Sequence, residues 1–272
     1  MSTGLRHVVV HGHFYQPPRE EPWLELVPHE KSAAPDHDWN ARITRECYAA
    51  LAKARVLDAQ GRLRRTINAY EWCSFDVGPT LFHWFDHHAP EVGEAIVAGD
   101  RAARARLGYG NALAQPYHHV ILPLASRRDK VTEVRWGIRD FQRRFGRAPE
   151  GMWLPETAVD HETLEVLAQE GIRFTVLSPH QVTAPPPHGR PGRWQHNGHE
   201  LAIFCYDGPL AHDIAFSDVL RDAHGWHRRI AEVPMADDGV TICSVATDGE
   251  TFGHHHRQGD LALASLIDRL ER

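Results

Sequence analysis

Apolar positions along this chain fall into two alternating rhythms. Short apolar runs stand at residues 5–11 (with Val8-Val9-Val10), 65–70, 111–115, 151–154, 172–177 and 240–247. Runs of that kind suit strands of a parallel sheet covered on both faces. Between them the spacing turns helical: 40–57 (Ile43, Cys47, Leu51, Ala54), a segment opening at Pro79 with Leu81, Phe82 and Phe85, then 91–107, 128–145, 160–170, 213–220 and 261–270. The clearest is 128–145, where Val131, Val134, Ile138, Phe141 and Phe145 step by three and four and give one apolar stripe. Pro79 suits a first helical turn, and Gly61 and Gly171 suit helix ends. Two further strand-like pieces, 193–195 and 201–206, flank Asn197-Gly198 and predict a hairpin inserted before the main sheet resumes. Residues 184–192, rich in proline and glycine, read as an exposed excursion. No repeat of solenoid period and no low-complexity tract interrupts the pattern.

Strands alternating with helices define an α/β chain with a parallel, barrel-like sheet. Its 272 residues fit one domain, 1–272. The net charge of -6 gives no general pull toward nucleic acid, and the basic runs at 101–106 and 139–147 read as solvated helix faces. Cys47, Cys73, Cys205 and Cys243 form no Cys-x-x-Cys pair and are too few to staple a chain of this size, so they read as reduced thiols in a cytoplasmic protein. Residues 1–10 hold only a short apolar run before His11, neither signal peptide nor anchor, and nothing later approaches spanning length. No membrane partner is therefore expected. The loop with Pro22, Trp23, Pro28 and Pro35 is too apolar for a flexible linker and reads as a lid.

Candidate chemistry sits where strand runs end. Residues 151–157, Gly-Met-Trp-Leu-Pro-Glu-Thr, carry an apolar triplet into a proline and a carboxylate. Pro155 lacks an N–H and has a fixed φ, so it stops the ladder and holds Glu156 at the strand's carboxyl end, where parallel α/β folds place ligand sites. The run 240–247 delivers Asp248-Gly249-Glu250 in the same way. A single such acid is most often a solvated loop residue; two at two strand ends form the minimal kit for glycosidic bond chemistry. Around them, His11 and His13, two apart on the first strand, face one way. His118, His119 and the triple His254-His255-His256 follow strand ends, and Trp153, Trp23 and Tyr117 are candidates for stacking on sugar faces.

Three stretches carry a resemblance: His11-Gly12-His13-Phe14-Tyr15-Gln16-Pro17, Trp153-Leu154-Pro155-Glu156, and residues 247–254, Thr-Asp-Gly-Glu-Thr-Phe-Gly-His. In type, order and placement they resemble conserved regions one, three and four of glycoside hydrolase family 57. The resemblance implies an incomplete (β/α)7 barrel of parallel strands and a retaining hydrolase or transglycosylase acting on α-linked glucans. It further implies Glu156 as nucleophile and Asp248 as general acid/base, with no cofactor. His11, His13, Trp153, Tyr117, His118 and His254 are the expected substrate-binding residues. Two departures stand: Phe14 and Tyr15 stretch the usual His-Gln-Pro of the first region, and the second region is matched only loosely around residues 69–79. The fifth region, a helical segment after the barrel, has no counterpart before Arg272, so the chain is expected to lack one side of its cleft.

Two other readings stay open. A metal-dependent hydrolase of the deacetylase or α-mannosidase kind would use His11, His13, Asp248 and His254 as zinc ligands with Glu156 as base. A barrel that binds glycans without cleaving them is the other.

Overall fold

The computed structural model describes residues 5–237 and 240–272; residues 1–4 of the stretch 1–10 read above lie outside them. The chain opens with β1 (Leu5–Phe14), then a long loop. A continuous helical stretch follows: α1 (Trp39–Ile43), a wider π turn over Thr44–Tyr48, and α2 (Ala49–Ala52). Asp38 caps its start, accepting from the Ala41 N–H at 3.0 Å. β2 (Ala54–Leu57) and β3 (Leu63–Ile67) form a small antiparallel hairpin. Next come β4 (Ser74–Val77), α3 (Pro79–His88), α4 (Pro90–Leu107), α5 (Arg127–Phe145), β5 (Gly151–Met152) and α6 (His161–Gln169). The chain continues through β6 (Phe174–Leu177), β7 (Gly192–His196), β8 (His199–Cys205), α7 (Gly208–Phe216), α8 (Ala223–Ala231), β9 (Val240–Asp248) and α9 (Gly259–Leu270).

β1 lies between β4 and β9, parallel to both. A second sheet, in the order β5-β6-β8-β7, is parallel except for β7 at its edge. Residues 112–114 join the two sheets through single parallel bridges, Phe75 to Ala112 and Ala114 to Met152. At the other end, the N–H of Asp207, just past β8, donates to the Ser244 carbonyl of β9 at 2.7 Å. The sheet therefore curls. Leu113, Trp153, Val176 and Ala246, from widely separated places in the strand order, share one small buried cluster. Helices cover the outside, and their buried faces (Val134 and Phe141 of α5, Leu263 and Ile267 of α9) belong to the larger core. Among the described residues no helix is long and apolar enough to cross a membrane, and all four cysteines are buried and free.

Several expectations change. The run 65–70 is not a strand of the main sheet: four of the five residues of β3 are exposed, and it pairs only with β2. Gly61, at φ 75°, serves the hairpin turn, so the helix expected over 40–57 stops at Ala52 and the chain turns extended at Ala54. The main-sheet strand is β4, later in the chain. The strand expected at 111–115 is reduced to its two bridges. β8 pairs in parallel with β6, so only β7 of the expected hairpin is an addition to the main sheet. β1 runs on to Phe14 because its pairing with β4 continues that far. α8, packed through buried Trp226, had no sequence-based expectation.

The bridging segment 112–114 is held by a buried ion pair. Arg147 grips Asp100 of α4 with two hydrogen bonds, 2.7 and 3.0 Å, while Asp100 also accepts from the Ala112 N–H at 2.8 Å. Asp100→Ala should leave a guanidinium and an amide without their acceptor and lower stability by about 3–5 kcal/mol, read as a shifted urea midpoint at unchanged slope.

Candidate active site

In a parallel sheet all strands present their carboxyl ends at one edge, and that edge carries the predicted acids. Glu156 lies in a tight turn, Pro155–Thr157, just past β5. Its φ is 57° and that of Thr157 is 50°, both in the left-handed region that L-residues rarely occupy. The turn is closed by Thr157 N–H to Leu154 O (2.9 Å) and Ala158 N–H to Pro155 O (3.0 Å). The Glu156 side chain is exposed and meets no hydrogen-bond or ion-pair partner among the described residues. Asp248 ends β9 and pairs in register with His13. It too is exposed and without a described partner.

Between them stands a polar wall. Registers His11 to Ser74 and His13 to Asp76 put four polar side chains on one face of the β1–β4 ladder. His11 Nδ1 meets Ser74 Oγ at 2.9 Å and its Nε2 meets Asp76 Oδ1 at 2.9 Å. His13 Nδ1 meets Asp76 Oδ2 at 2.8 Å, and its Nε2 meets His119 Nε2 at 2.8 Å. Trp153 stacks on both imidazoles, with centroids 4.8 Å from His11 and 5.4 Å from His13. Tyr15 stacks on His119 at 3.8 Å. The Trp153 Nε1 and Gln115 Oε1 atoms are buried beside this wall and pair with no described residue.

Charge is distributed unevenly across it. Burial works against a charged His13, but Asp76, with smaller contributions from Glu250 and Asp248, outweighs it and the net shift is upward. Burial also opposes ionisation of Asp76, yet His13 and the hydrogen bonds from His11 and His13 hold its pKa below the usual range. His119 is pressed down to about 4 by burial and by the positive charge that His13 carries when protonated. Glu250, buried in the turn after β9, is pushed up to about 7, chiefly by burial, although Tyr48 Oη donates to its Oε1.

The expected substrate-binding residues divide. His11, His13 and Trp153 join the wall. His118 turns outward, its Nδ1 on Glu133 at 2.8 Å, and Tyr117 packs edge-on against it and Trp136, away from the wall. His254 is engaged by Glu46 at 2.6 Å and anchors the turn after β9 to the π segment. His255, by contrast, feels the charge of Asp248, while His256 bonds the Ala215 carbonyl at 2.7 Å. Trp23 is 90% exposed. The residues that sequence reasoning gave no role here are Asp76, Gln115 and Glu250; His119 was noted only as one of a pair following a strand end. The zinc set His11, His13, Asp248 and His254 is not assembled, because both nitrogens of His11 and of His13 are occupied and His254 binds Glu46. Among the described residues no group of three or more His, Cys, Asp or Glu side chains has the geometry to hold a metal ion. A separate cavity of about 940 Å³, bordered by Arg55, Arg64, Arg257 and Arg269 between the β2–β3 hairpin and α9, shares no residue with this site.

Comparison with known proteins bears on this arrangement. The family model described as glycosyl hydrolase family 57 matches residues 45–272. Alpha-amylase 1 of Dictyoglomus thermophilum is 24% identical over 177 residues, covering 64% of this chain and 24% of its own. The 4-alpha-glucanotransferase of Thermococcus litoralis is 20% identical over 180 residues, covering 65% of this chain and 26% of its own. This chain spans about a quarter of the length of these curated relatives. The solved exo-type maltose-forming amylase from Pyrococcus sp. ST04 superposes with a TM-score of 0.73 at 15% identity, over 98% of this chain and 46% of that one, which shows a shared fold.

The raised pKa of Glu250 has a measurable consequence. Unfolded, its carboxyl ionises near 4.5; folded, near about 7, so the native state holds an extra proton between those values. Stability from the protonated acid is complete below that window and is lost as pH rises through it, by on the order of 3 kcal/mol. Glu250→Gln should therefore be relatively more stable than the parent at about pH 8 than at about pH 5. Urea unfolding of both proteins at the two values checks this; an equal difference at both would refute the raised pKa.

Proposed function

The chain belongs to glycosyl hydrolase family 57, and from that premise we propose that it acts on α-linked glucans, as a glycosidase or a transglycosylase with retention of configuration. The observation that carries this reading is the pair of exposed, unpartnered carboxylates, Glu156 and Asp248, at the carboxyl ends of β5 and β9 beside the histidine and tryptophan wall. We read the curled sheet as an incomplete (β/α)7 barrel with this edge as its mouth. The amylase and glucanotransferase named above are similar to this chain and support α-glucan as the substrate class.

Breaking an acetal between sugars passes through an oxocarbenium-like state, which needs a proton for the departing oxygen and negative charge at the anomeric carbon. A carboxylate oxygen of Glu156 attacks that carbon as the glycosidic C–O bond breaks, and Asp248 gives its proton to the leaving oxygen. The ester so formed is a glycosyl-enzyme. Asp248, now ionised, takes a proton from water or from an acceptor sugar hydroxyl, whose oxygen attacks the anomeric carbon and releases Glu156. Retention on this route calls for carboxyl groups about 5–5.5 Å apart when sugar is bound. His13 and His119 read as hydrogen-bonding partners for sugar hydroxyls, since imidazole both donates and accepts. Trp153, with a buried Nε1 that bonds no described residue, reads as a further donor. The reading needs no metal or cofactor.

Glu156→Gln should abolish turnover and all covalent glycosyl-enzyme. Asp248→Asn should lose most activity on maltooligosaccharides yet still be glycosylated by an activated fluoride, whose departure needs no proton. Intact-protein mass spectrometry detects the adduct, and product analysis separates shorter chains (hydrolysis), longer ones (transfer) and new α-1,6 linkages (branching). Near-parental rates for Glu156→Gln would overturn the nucleophile assignment.

A further inference from the structure

Asp76 lies on β4 with only 1% of its surface exposed, opposite His13 in the ladder. An isolated carboxylate in such a place would cost several kcal/mol of desolvation, so its partners must offset that. Three do: the His11 Nε2–H (2.9 Å), the His13 Nδ1–H (2.8 Å) and the Gln115 Nε2–H (2.8 Å). An ionised carboxylate accepts only, so every nitrogen facing it must carry a hydrogen. That requirement assigns the imidazole hydrogens. His11 is protonated at Nε2, leaving Nδ1 toward Ser74 Oγ; His13 is protonated at Nδ1, and when it takes up a second proton its Nε2–H donates to His119 Nε2.

Orientation propagates from there. With both imidazoles pinned edge-on to one carboxylate, their planes lie nearly parallel to the Trp153 indole, at 21° in each case. His119 follows at 19° to His13, and Tyr15 at 12° to His119. The result is a ladder of rings running from buried Trp153 to half-buried His119 and Tyr15. His119 reaches its place through a left-handed backbone, φ 57°. Edges of such rings offer hydrogen bonds and faces offer stacking, the two contacts a sugar takes.

The geometry points to Asp76 as a positioning residue: it fixes the tautomers and ring planes of His11 and His13 and, through His13, presents the His119–Tyr15 pair as a sugar-binding subsite. The subsite rests on the glucan reading above; the tautomer assignment does not. Asp76 itself need touch no substrate.

Two measurements test this. In the unmutated protein, imidazole nitrogen NMR should show hydrogen on His11 Nε2 and on His13 Nδ1. Hydrogen on His11 Nδ1 alone, or a His13 bare at Nδ1, would overturn the assignment whether or not any glucan binds. Asp76→Asn keeps the shape but turns an N–H₂ group toward one of the N–H donors, so at least one histidine should change tautomer. In a Glu156→Gln background, where turnover is absent, the calorimetric Kd for maltoheptaose should then rise about tenfold or more. His119→Ala, at the exposed end of the ladder, should weaken binding similarly while His11 and His13 keep their tautomers. A folded Asp76→Asn protein with unchanged histidine spectra and unchanged affinity would sink the positioning role. If the Glu156→Gln protein binds no maltooligosaccharide at all, the glucan reading and the subsite fall, while the spectra still decide what Asp76 does.

Discussion

β1 is paired on both sides in one register, and the placement of His11, His13, Asp76 and Asp248 depends on that. Side chains alternate along a strand, so a slip of one residue would turn His11 and His13 outward and leave the mouth lined by Gly12 and Phe14. Close packing on the other face resists such a slip. A Cβ at Gly12 would fall 2.9 Å from the Phe14 ring, and one at Gly249 would fall 2.1 Å from it. Phe14 occupies the space those two glycines leave, and it packs against Tyr48 and Tyr70 at ring distances of 5.8 and 5.6 Å. An outward aromatic thus holds the inward histidines in register with Asp76 and Asp248.

The same ladder sets two buried acids in opposite states. Asp76 receives three N–H donors and stays ionised. Glu250 receives the Tyr48 hydroxyl and only a long 3.5 Å contact from Gln16, too little to offset its burial, so it holds its proton up to about pH 7. Since both are almost fully buried, the charge of His13 beside Asp76 and then its hydrogen bonds decide between them, while Asp248 adds to the upward push on Glu250. His13 faces the ionised acid, and its raised pKa follows from that contact more than from Glu250 or Asp248. The imidazole with the raised pKa therefore lies deep in the sheet and the free acids at its rim.

What was legible in the sequence was whatever local pattern determines. Apolar runs ending in Pro155-Glu156 and Asp248-Gly249 do mark strand ends, and the stripe over 128–145 does make α5. Residues 65–70 misled because β-branched and aromatic residues read alike in an edge hairpin and a central strand, whereas exposure of Leu63, Arg64, Arg65 and Thr66 belongs to tertiary context. Asp76 had no local signature, since its histidine partners stand 63 and 65 positions earlier and Gln115 stands 39 later. His118 and His119 are neighbours with the same side chain. A single left-handed residue decides which turns inward, and a non-glycine position gives no advance sign of that.

Backbone and side chain have divided roles at the two rim acids. At Glu156 the order lies in the main chain: Pro155, two successive left-handed residues and two turn hydrogen bonds, with α6 fixed next to it by Asp160, which caps Thr163 at 2.7 Å and holds buried Lys130 at 3.0 Å. At Asp248 it lies in the register with His13 and the glycine that follows. Neither carboxylate is tied to a described neighbour, so neither must break an ion pair before it can meet a ligand. Groups that only orient others, Asp76 above all, are the ones with every oxygen engaged. An acid left free on a fixed main chain, beside rings locked by a buried charge, is the arrangement in which binding costs little reorganisation.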